Sequence, residues 1–359
     1  MRRTAARRRP AAARAAADGM KLHRRTVRLA GAGHTVIGLR PGTRARFSTN
    51  LFHGTWHVLS DGRGARLLAR LLWGLSYQSR PGTLLVIDRP FLVPTPFEAD
   101  PPDPIVVVPD WHTPFGPRHA RALARALPLR GAPDGTVRWR THGLDAALAD
   151  PRAWFRATFP ARDPDRGRVE RRSGLIVLRP GDRDDMRAWA VHAGWLDPCN
   201  RYGMDYTYLG TWRRGYTGEI QVFRDFHRDV GVAKRAREEV LRERGLAGRD
   251  PTGPGGPVEF DLLRARIWDR SGAIKRGRGR LVANCRNLGP GEAERLAAAD
   301  VRTLDDLHRL GAAGVYRRLA ELEGREPSRT LLWKLEGALT GIHWRDVPPA
   351  RRAELLRER

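Results

Sequence analysis

Eight residues, Asp250-Pro-Thr-Gly-Pro-Gly-Gly-Pro257, constrain this chain more than any others. Three prolines lack a backbone N–H, and three glycines lose the most backbone entropy when ordered. Helix and sheet are both disfavoured, so the segment reads as an exposed linker. It divides a chain of 359 residues, long enough for two separately buried cores.

Before the linker, apolar runs alternate with helical periodicity. Strands are predicted at Thr35–Leu39, Thr83–Ile87, Ile105–Val108, Val137–Arg140 and Leu175–Leu178. Helices are predicted at Ala65–Leu75, Arg118–Ala126, Leu144–Phe155, Asp184–Ala193 and Val230–Arg244. A continuously apolar run such as Ile105-Val-Val-Val108 reads as a strand buried on both faces. The alternation predicts a three-layer α/β domain with a mixed or mainly parallel sheet over residues 20–245. Two helical stretches, Asp61–Leu75 and Asp182–Leu196, look alike: each starts at an Asp placed to cap it and ends in a Trp/Gly/Leu cluster.

The charge is unusual. Lys and Arg total 66 against 40 Asp and Glu, a formal net charge of +26, which points to polyanionic partners, nucleic acid before acidic membrane. All but four of the basic residues (Lys21, Lys234, Lys275 and Lys334) are arginine, as the codon bias of a GC-rich bacterial genome also produces. Residues 1–19 carry six Arg and almost nothing to bury, so a disordered basic tail is expected, and Met20 is an alternative start. Cys199 and Cys285 show no pairing logic, and no apolar run approaches the ~18 residues of a membrane span. A cytoplasmic location without membrane contact is expected.

Several constellations invite chemistry. Asp110 and His112 follow the most apolar strand, where α/β sheets place their ligands, and Asp88 and Asp182 follow other strands in the same way. Asp110 and His112 are candidate catalytic residues of a hydrolase, with Asp88 and Asp182 placed to converge on them; the alternative role of Asp110 is to end its strand and cap a turn. Asp205, Glu219 and Gln221, with Asp225, His227 and Asp229 nearby, echo the metal-binding carboxylates of restriction-type nucleases, although solvated surface charge explains that spacing equally well. His53 and His57 lack a third ligand, and Gly54 stands where a metalloprotease needs Glu, so no metal site is expected. Gly31 and Gly33 do not open a helix, because Thr35-Val36-Ile37 continues as strand, and no P-loop occurs; no cofactor is expected.

After the linker come a short amphipathic segment, Glu259–Asp269, and the glycine-spaced basic run Lys275, Arg276, Arg278 and Arg280, so residues 246–283 read as linker, short helix and flexible basic segment. Residues 284–359 then predict five short helices with one apolar stripe each. Thr303 and Asp306 form a capping box, Ser328 caps a helix, Gly311 and Gly341 terminate helices and Pro348-Pro349 opens the last.

The residues carrying these signals also carry a family resemblance. Asn287-Leu-Gly-Pro290, Thr303-Leu-Asp-Asp-Leu307, Tyr316-Arg-Arg-Leu319, Leu332-Trp333, Leu335-Glu-Gly-Ala-Leu-Thr-Gly341 and His343-Trp344 resemble the C-terminal domain of the TfoX/Sxy competence regulators, over about a fifth of the chain. The resemblance implies a small helical domain related to helix-hairpin-helix modules, and a role in transcriptional regulation of competence. It also makes the hairpin Gly289-Pro290-Gly291 a candidate DNA-phosphate site beside the basic run. Where the family commonly has Lys and Ser after Gly-Pro, this chain has Gly291 and Glu292, and the family's N-terminal Met-Phe-Gly-Gly stretch is not found. The expectation is a non-enzymatic DNA-associated regulator. The alternatives are a metal-dependent nuclease or hydrolase in the α/β domain, and an adaptor that binds a protein partner through the helical domain.

Overall fold

The computed structural model describes residues 19–160, 167–210, 215–246, 256–278 and 281–359. Two compact units meet between Lys234 and Arg235. The expected tail before Gly19, most of the Pro/Gly linker and Arg280 lie outside the described residues.

The first unit contains β1 (Gly19–Leu29), β2 (Ala32–Gly38), β3 (Phe47–Phe52), β4 (Thr55–Ser60), β5 (Thr83–Ile87), β6 (Ile105–Val107), β7 (Gly135–Arg140), β8 (Arg168–Arg172), β9 (Leu175–Arg179), β10 (Met204–Leu209) and β11 (Gly218–Phe223). They form two sheets, ordered β7-β1-β2-β5-β6-β9-β8 and β10-β11-β4-β3. Both are mixed, as expected. Among the described strands only β2/β5, β6/β9 and β4/β11 pair in parallel, so the expectation of a mainly parallel sheet is corrected. Hairpins are the cause. Ala30-Gly31, His53-Gly54 and Ser173-Gly174 each place two successive residues at positive φ, as two-residue turns that join antiparallel strands require.

Five helices of this unit are α1 (Gly62–Ser76), α2 (Pro117–Ala126), α3 (Leu144–Ala149), α4 (Pro151–Thr158) and α5 (Arg183–Trp195); a sixth, α6 (Phe226–Glu243), crosses into the second unit. The single helix expected over Leu144–Phe155 is two, because Pro151 cannot continue α3 and Asp150 caps α4 by accepting from the Ala153 N–H at 2.9 Å. The layering is deeper than three. Inner faces of both sheets (Ile37, Ile87 and Ile176 from one, Phe47, Val58 and Ile220 from the other) share one core with α1 and α5. The outer face of the large sheet packs on α2 through Val36, Val86 and Leu123, and that of the small sheet packs Leu59 on Phe226 and Val230 of α6. Both helices carry charged residues near the start, Arg63 and Arg66 in α1 and Arg183 and Asp184 in α5, while Leu68, Leu71, Leu72, Leu75, Met186, Trp189 and Val191 are all buried.

The two helices that look alike in sequence, α1 and α5, pack against each other. Asp61 and Asp182 cap them as expected, by accepting from Gly64 N and from Asp184 and Asp185 N. A Cβ on Gly194 would meet Leu148 Cδ2 at 2.9 Å and Ala69 Cβ at 3.2 Å, so the bare glycine permits this approach. Each helix follows a tight β-hairpin and crosses between sheets, α1 from β4 to β5 and α5 from β9 to β10.

The second unit begins with the rest of α6, against which α7 (Gly256–Arg278) packs through Leu263 and Ile267 on Ala236 and Val240. Arg270 bridges Glu239 and Glu243 at 3.0 and 2.7 Å. α7 therefore replaces the short helix and flexible basic segment expected there: Lys275, Arg276 and Arg278 lie on its last turn. The remaining helices are α8 (Pro290–Ala298), α9 (Leu304–Glu323), α10 (Arg329–Thr340) and α11 (Pro349–Glu358), around a core of Leu296, Leu307, Val315, Tyr316, Leu332, Leu335 and Leu355. Gly311, at φ 71° and ψ 163°, kinks α9 at the expected helix end. Among the described residues no helix is long and apolar enough to cross a membrane.

Candidate functional site

The strand-end groups of the large sheet do not form one catalytic cluster. Asp110 pairs with the buried Arg179 guanidinium and, at 3.5 Å, with Arg168. Arg179 also donates to Glu170 at 2.7 Å and to the Phe115 carbonyl. Asp110 thus helps to neutralise a buried cation at the end of β9. Both ring nitrogens of His112 are engaged, Nε2 with the Gln78 carbonyl and Nδ1 with the Thr113 hydroxyl, each at 2.9 Å. Asp88 accepts from Arg89 N at 2.6 Å and Leu129 N at 2.7 Å, which fixes a turn and a loop.

The nuclease-like carboxylates are also separated. The β10–β11 register sets Tyr208 opposite Glu219 and Val222 opposite Asp205, so alternation sends the side chains of Asp205 and Glu219 to opposite faces of the small sheet. Asp205 accepts from Asp197 N and Tyr206 N at 2.9 Å, and His227 reaches Asp61 at 3.4 Å. No group of three His, Cys, Asp or Glu able to hold a metal occurs among the described residues.

Glu219 does have neighbours that sequence spacing hid. His57, opposite it on β4, approaches at 3.5 Å, and Gln221 donates to it at 2.8 Å. Burial lowers the His57 pKa to about 4, with help from His53, and burial raises that of Glu219. Neutral His57 has its Nε2 2.9 Å from the Thr55 hydroxyl, while its Nδ1 and the Asn50 Oδ1 on the neighbouring strand are buried with no hydrogen-bond partner among the described residues. Beside this row Tyr208 stacks on Tyr216 at 4.2 Å, with Tyr206 edge-on to Tyr208 at 5.5 Å. The result is a buried polar row bordered by exposed rings.

In the helical unit the motif residues act as clasps. Asn287, at φ 76°, donates from Nδ2 to the Ile342 carbonyl at 2.8 Å and accepts from Trp344 N at 3.1 Å. It thereby ties the start of α8 to the end of α10. Gly337 lies beneath this clasp: an added Cβ would stand 2.6 Å from Asn287 Nδ2, 3.0 Å from the Ile342 carbonyl and 3.2 Å from Trp344 Cα. Thr303 and Asp306 form the expected reciprocal capping box, at 3.2 and 3.0 Å. Ser328 occupies its cap position without a side-chain bond, and Gly341 ends α10 at φ 77°. Gly337→Ala is expected to cost about 1–3 kcal/mol, because two of the three contacts are backbone and cannot swing aside. Urea unfolding followed by hydrogen exchange of the residue 284–359 amides measures it; unchanged protection would mean that the clasp opens freely.

At the candidate hairpin, Glu292 folds back to accept from Gly289 N at 2.9 Å while its other oxygen pairs with Lys334. The Lys334 bond holds the Glu292 carboxyl below its ordinary pKa. A built-in carboxylate thus occupies the N-terminus of α8, where a phosphate would otherwise sit. Gly291 meets nothing within 4 Å of a built Cβ. The backbone of Lys275, Arg276 and Arg278 belongs to α7, and Lys275 is exposed.

Short capped helices closed by a side-chain clasp define the C-terminal segment as a compact all-helical domain. It is a TfoX C-terminal domain: the family model of that description matches residues 279–359. A crystal structure of an uncharacterized protein from Listeria monocytogenes is similar at 26% identity, over 21% of this chain and 85% of that one, with a TM-score of 0.20. No curated protein matches the chain.

Proposed function

We propose that this protein is a non-enzymatic, DNA-associated regulator of the bacterial cytoplasm, in which a TfoX C-terminal domain is joined to an α/β domain. DNA contact is carried by Lys275, Arg276, Arg278 and Arg280 at and beyond the end of α7, in preference to the Gly289–Gly291 hairpin. The observation that carries this choice is the Glu292 carboxylate bound to Gly289 N, which repels a phosphate at the hairpin.

The test is the salt dependence of duplex binding. Each phosphate neutralised contributes roughly 0.9 to the slope of log affinity against log salt. Replacing all four basic residues with Ala is expected to flatten that slope by up to about 3.6 and to weaken binding uniformly across sequences. An unchanged slope in that variant, with binding lost when Gly289 and Gly291 become Ala in a folded protein, would transfer the site to the hairpin. Cleavage in the presence of Mg²⁺ would instead support the nuclease reading.

A second reading is favoured by a cavity of about 520 Å³ at the Gly311 kink, lined by Leu310, Ala313, Leu339, Arg317 and Glu336. This mixed apolar and charged surface suits a protein partner. A protein that shifts no DNA at low salt supports the adaptor.

A further inference from the structure

We propose that the α/β unit binds a small phosphomonoester in a cavity at the carboxyl ends of β2 and β5. The cavity has a volume of about 280 Å³ and is lined by Arg25, His23, Arg46, Gly38, Thr43 and Asp88, among others. Its place is set by topology. β2 and β5 are parallel neighbours, paired from Thr35/Thr83 to Gly38/Val86, so both chains leave the sheet on this side. Crevices outside the carboxyl ends of parallel strands are where open α/β sheets hold ligands.

The lining has the chemistry of an anion site. Arg25 and Arg46 are half-buried, yet among the described residues no carboxylate is hydrogen-bonded to either or to His23; the exposed Asp134 feels the Arg25 charge from a distance. Arg25 gives Nε and Nη2 to the Gly131 carbonyl at 3.3 and 3.2 Å, and its Nη1 lies about 4.0 Å from where a Gly38 Cβ would be. Arg46 gives Nη1 to the Thr43 and Ala45 carbonyls at 2.6 and 2.9 Å. Each guanidinium is therefore held in place by backbone oxygens that do not cancel its charge. A partly desolvated cation without a hydrogen-bonded counter-ion is costly, and an incoming anion removes that cost. The field is felt locally, since burial, Arg25 and Arg40 together lower the pKa of His23.

A phosphoryl group suits two arginines because their planar forks present paired N–H groups to its oxygens. Asp88, the acidic residue of the lining, already accepts from Arg89 N and Leu129 N. Its remaining lone pairs favour a ligand hydroxyl and oppose a second anionic group. The volume lies near the lower limit of ~300 Å³ for small-molecule sites. A single phosphate on a hydroxyl-bearing body, of the size of a sugar phosphate or the phosphorylated end of a strand, matches all three features.

Calorimetric titration of the full chain with ribose 5-phosphate tests this. Binding is expected, with ribose giving no heat. Arg46→Gln, whose lost bonds lie within its own loop, is expected to weaken binding about tenfold or more. Arg25→Gln should do the same, and Arg152→Gln, at an exposed arginine outside the cavity lining, should not. A 5′-phosphorylated oligonucleotide that displaces ribose 5-phosphate, where its 5′-hydroxyl counterpart does not, assigns the site to strand ends; failure of both to compete assigns it to a free metabolite. Absence of binding at millimolar ligand, equal binding of ribose, or equal loss in Arg152→Gln overturns the proposal.

Discussion

Arg179→Ala is expected to destabilise the α/β unit by about 3–5 kcal/mol, the cost of breaking a buried ion pair by removing one partner. The guanidinium is buried and holds Asp110, Glu170 and the Phe115 carbonyl together at the junction of β9, β8 and the loop after β6. Its removal leaves two carboxylates facing each other. Arg168 is exposed and Arg172 half-buried, and each reaches one carboxylate only, Asp110 at 3.5 Å and Glu170 at 2.8 Å, so neither replaces a guanidinium that bridges both. Asp110→Asn should cost much less, about 1–2 kcal/mol, because Arg179 keeps Glu170 and the carbonyl. Urea denaturation of both variants gives the two values. A cost below 1 kcal/mol for Arg179→Ala would show that the network is solvated and that Asp110 is available for another role.

The same network shows which parts of the fold were legible in the sequence. All five predicted strands belong to the large sheet: β5, β6 and β9 are continuous Val, Ile and Leu runs buried on both faces, whereas the edge strand β7 alternates buried Trp139 with exposed Arg138 and Arg140. The whole small sheet went unpredicted. Thr55-Trp-His-Val-Leu-Ser60 and Met204-Asp-Tyr-Thr-Tyr-Leu209 put polar and aromatic groups on an outer face, which weakens the apolar signal. Its local signal is the turn His53-Gly54, two successive residues at positive φ between β3 and β4. The helical domain was legible throughout because caps, stripes and glycine terminators are local. The Asp110–Arg179 and His57–Glu219 contacts join residues 69 and 162 positions apart, and strand order decides them. Local pattern fixes a helix, but it does not say which strand end faces which.

His192 makes the stability of the α/β unit dependent on pH in a window set by burial. Its ring stacks on Phe155 at 4.5 Å, its buried Nδ1 has no hydrogen-bond partner among the described residues, and burial lowers its pKa to about 4 from 6.5. In the unfolded chain the ring takes a proton near 6.5, whereas the native ring resists until about 4. As pH falls between those values the unfolded state binds more protons, so stability decreases. The full contribution is present above pH 6.5 and is lost by about pH 4; at 1.36 kcal/mol per pKa unit it amounts to about 3 kcal/mol. His57 acts in the same direction, while the raised Glu219 beside it opposes, since its native carboxyl takes a proton before the unfolded one does. His192 is the cleaner probe because burial alone shifts it. His192→Phe, which preserves the stack, is expected to lose about 3 kcal/mol less than the wild type between pH 7.5 and 4. Urea midpoints across that range, with an NMR titration in which His192 stays neutral to about pH 4, measure both sides of the linkage. Parallel pH profiles for wild type and variant would mean that the buried ring is already solvated in the native state.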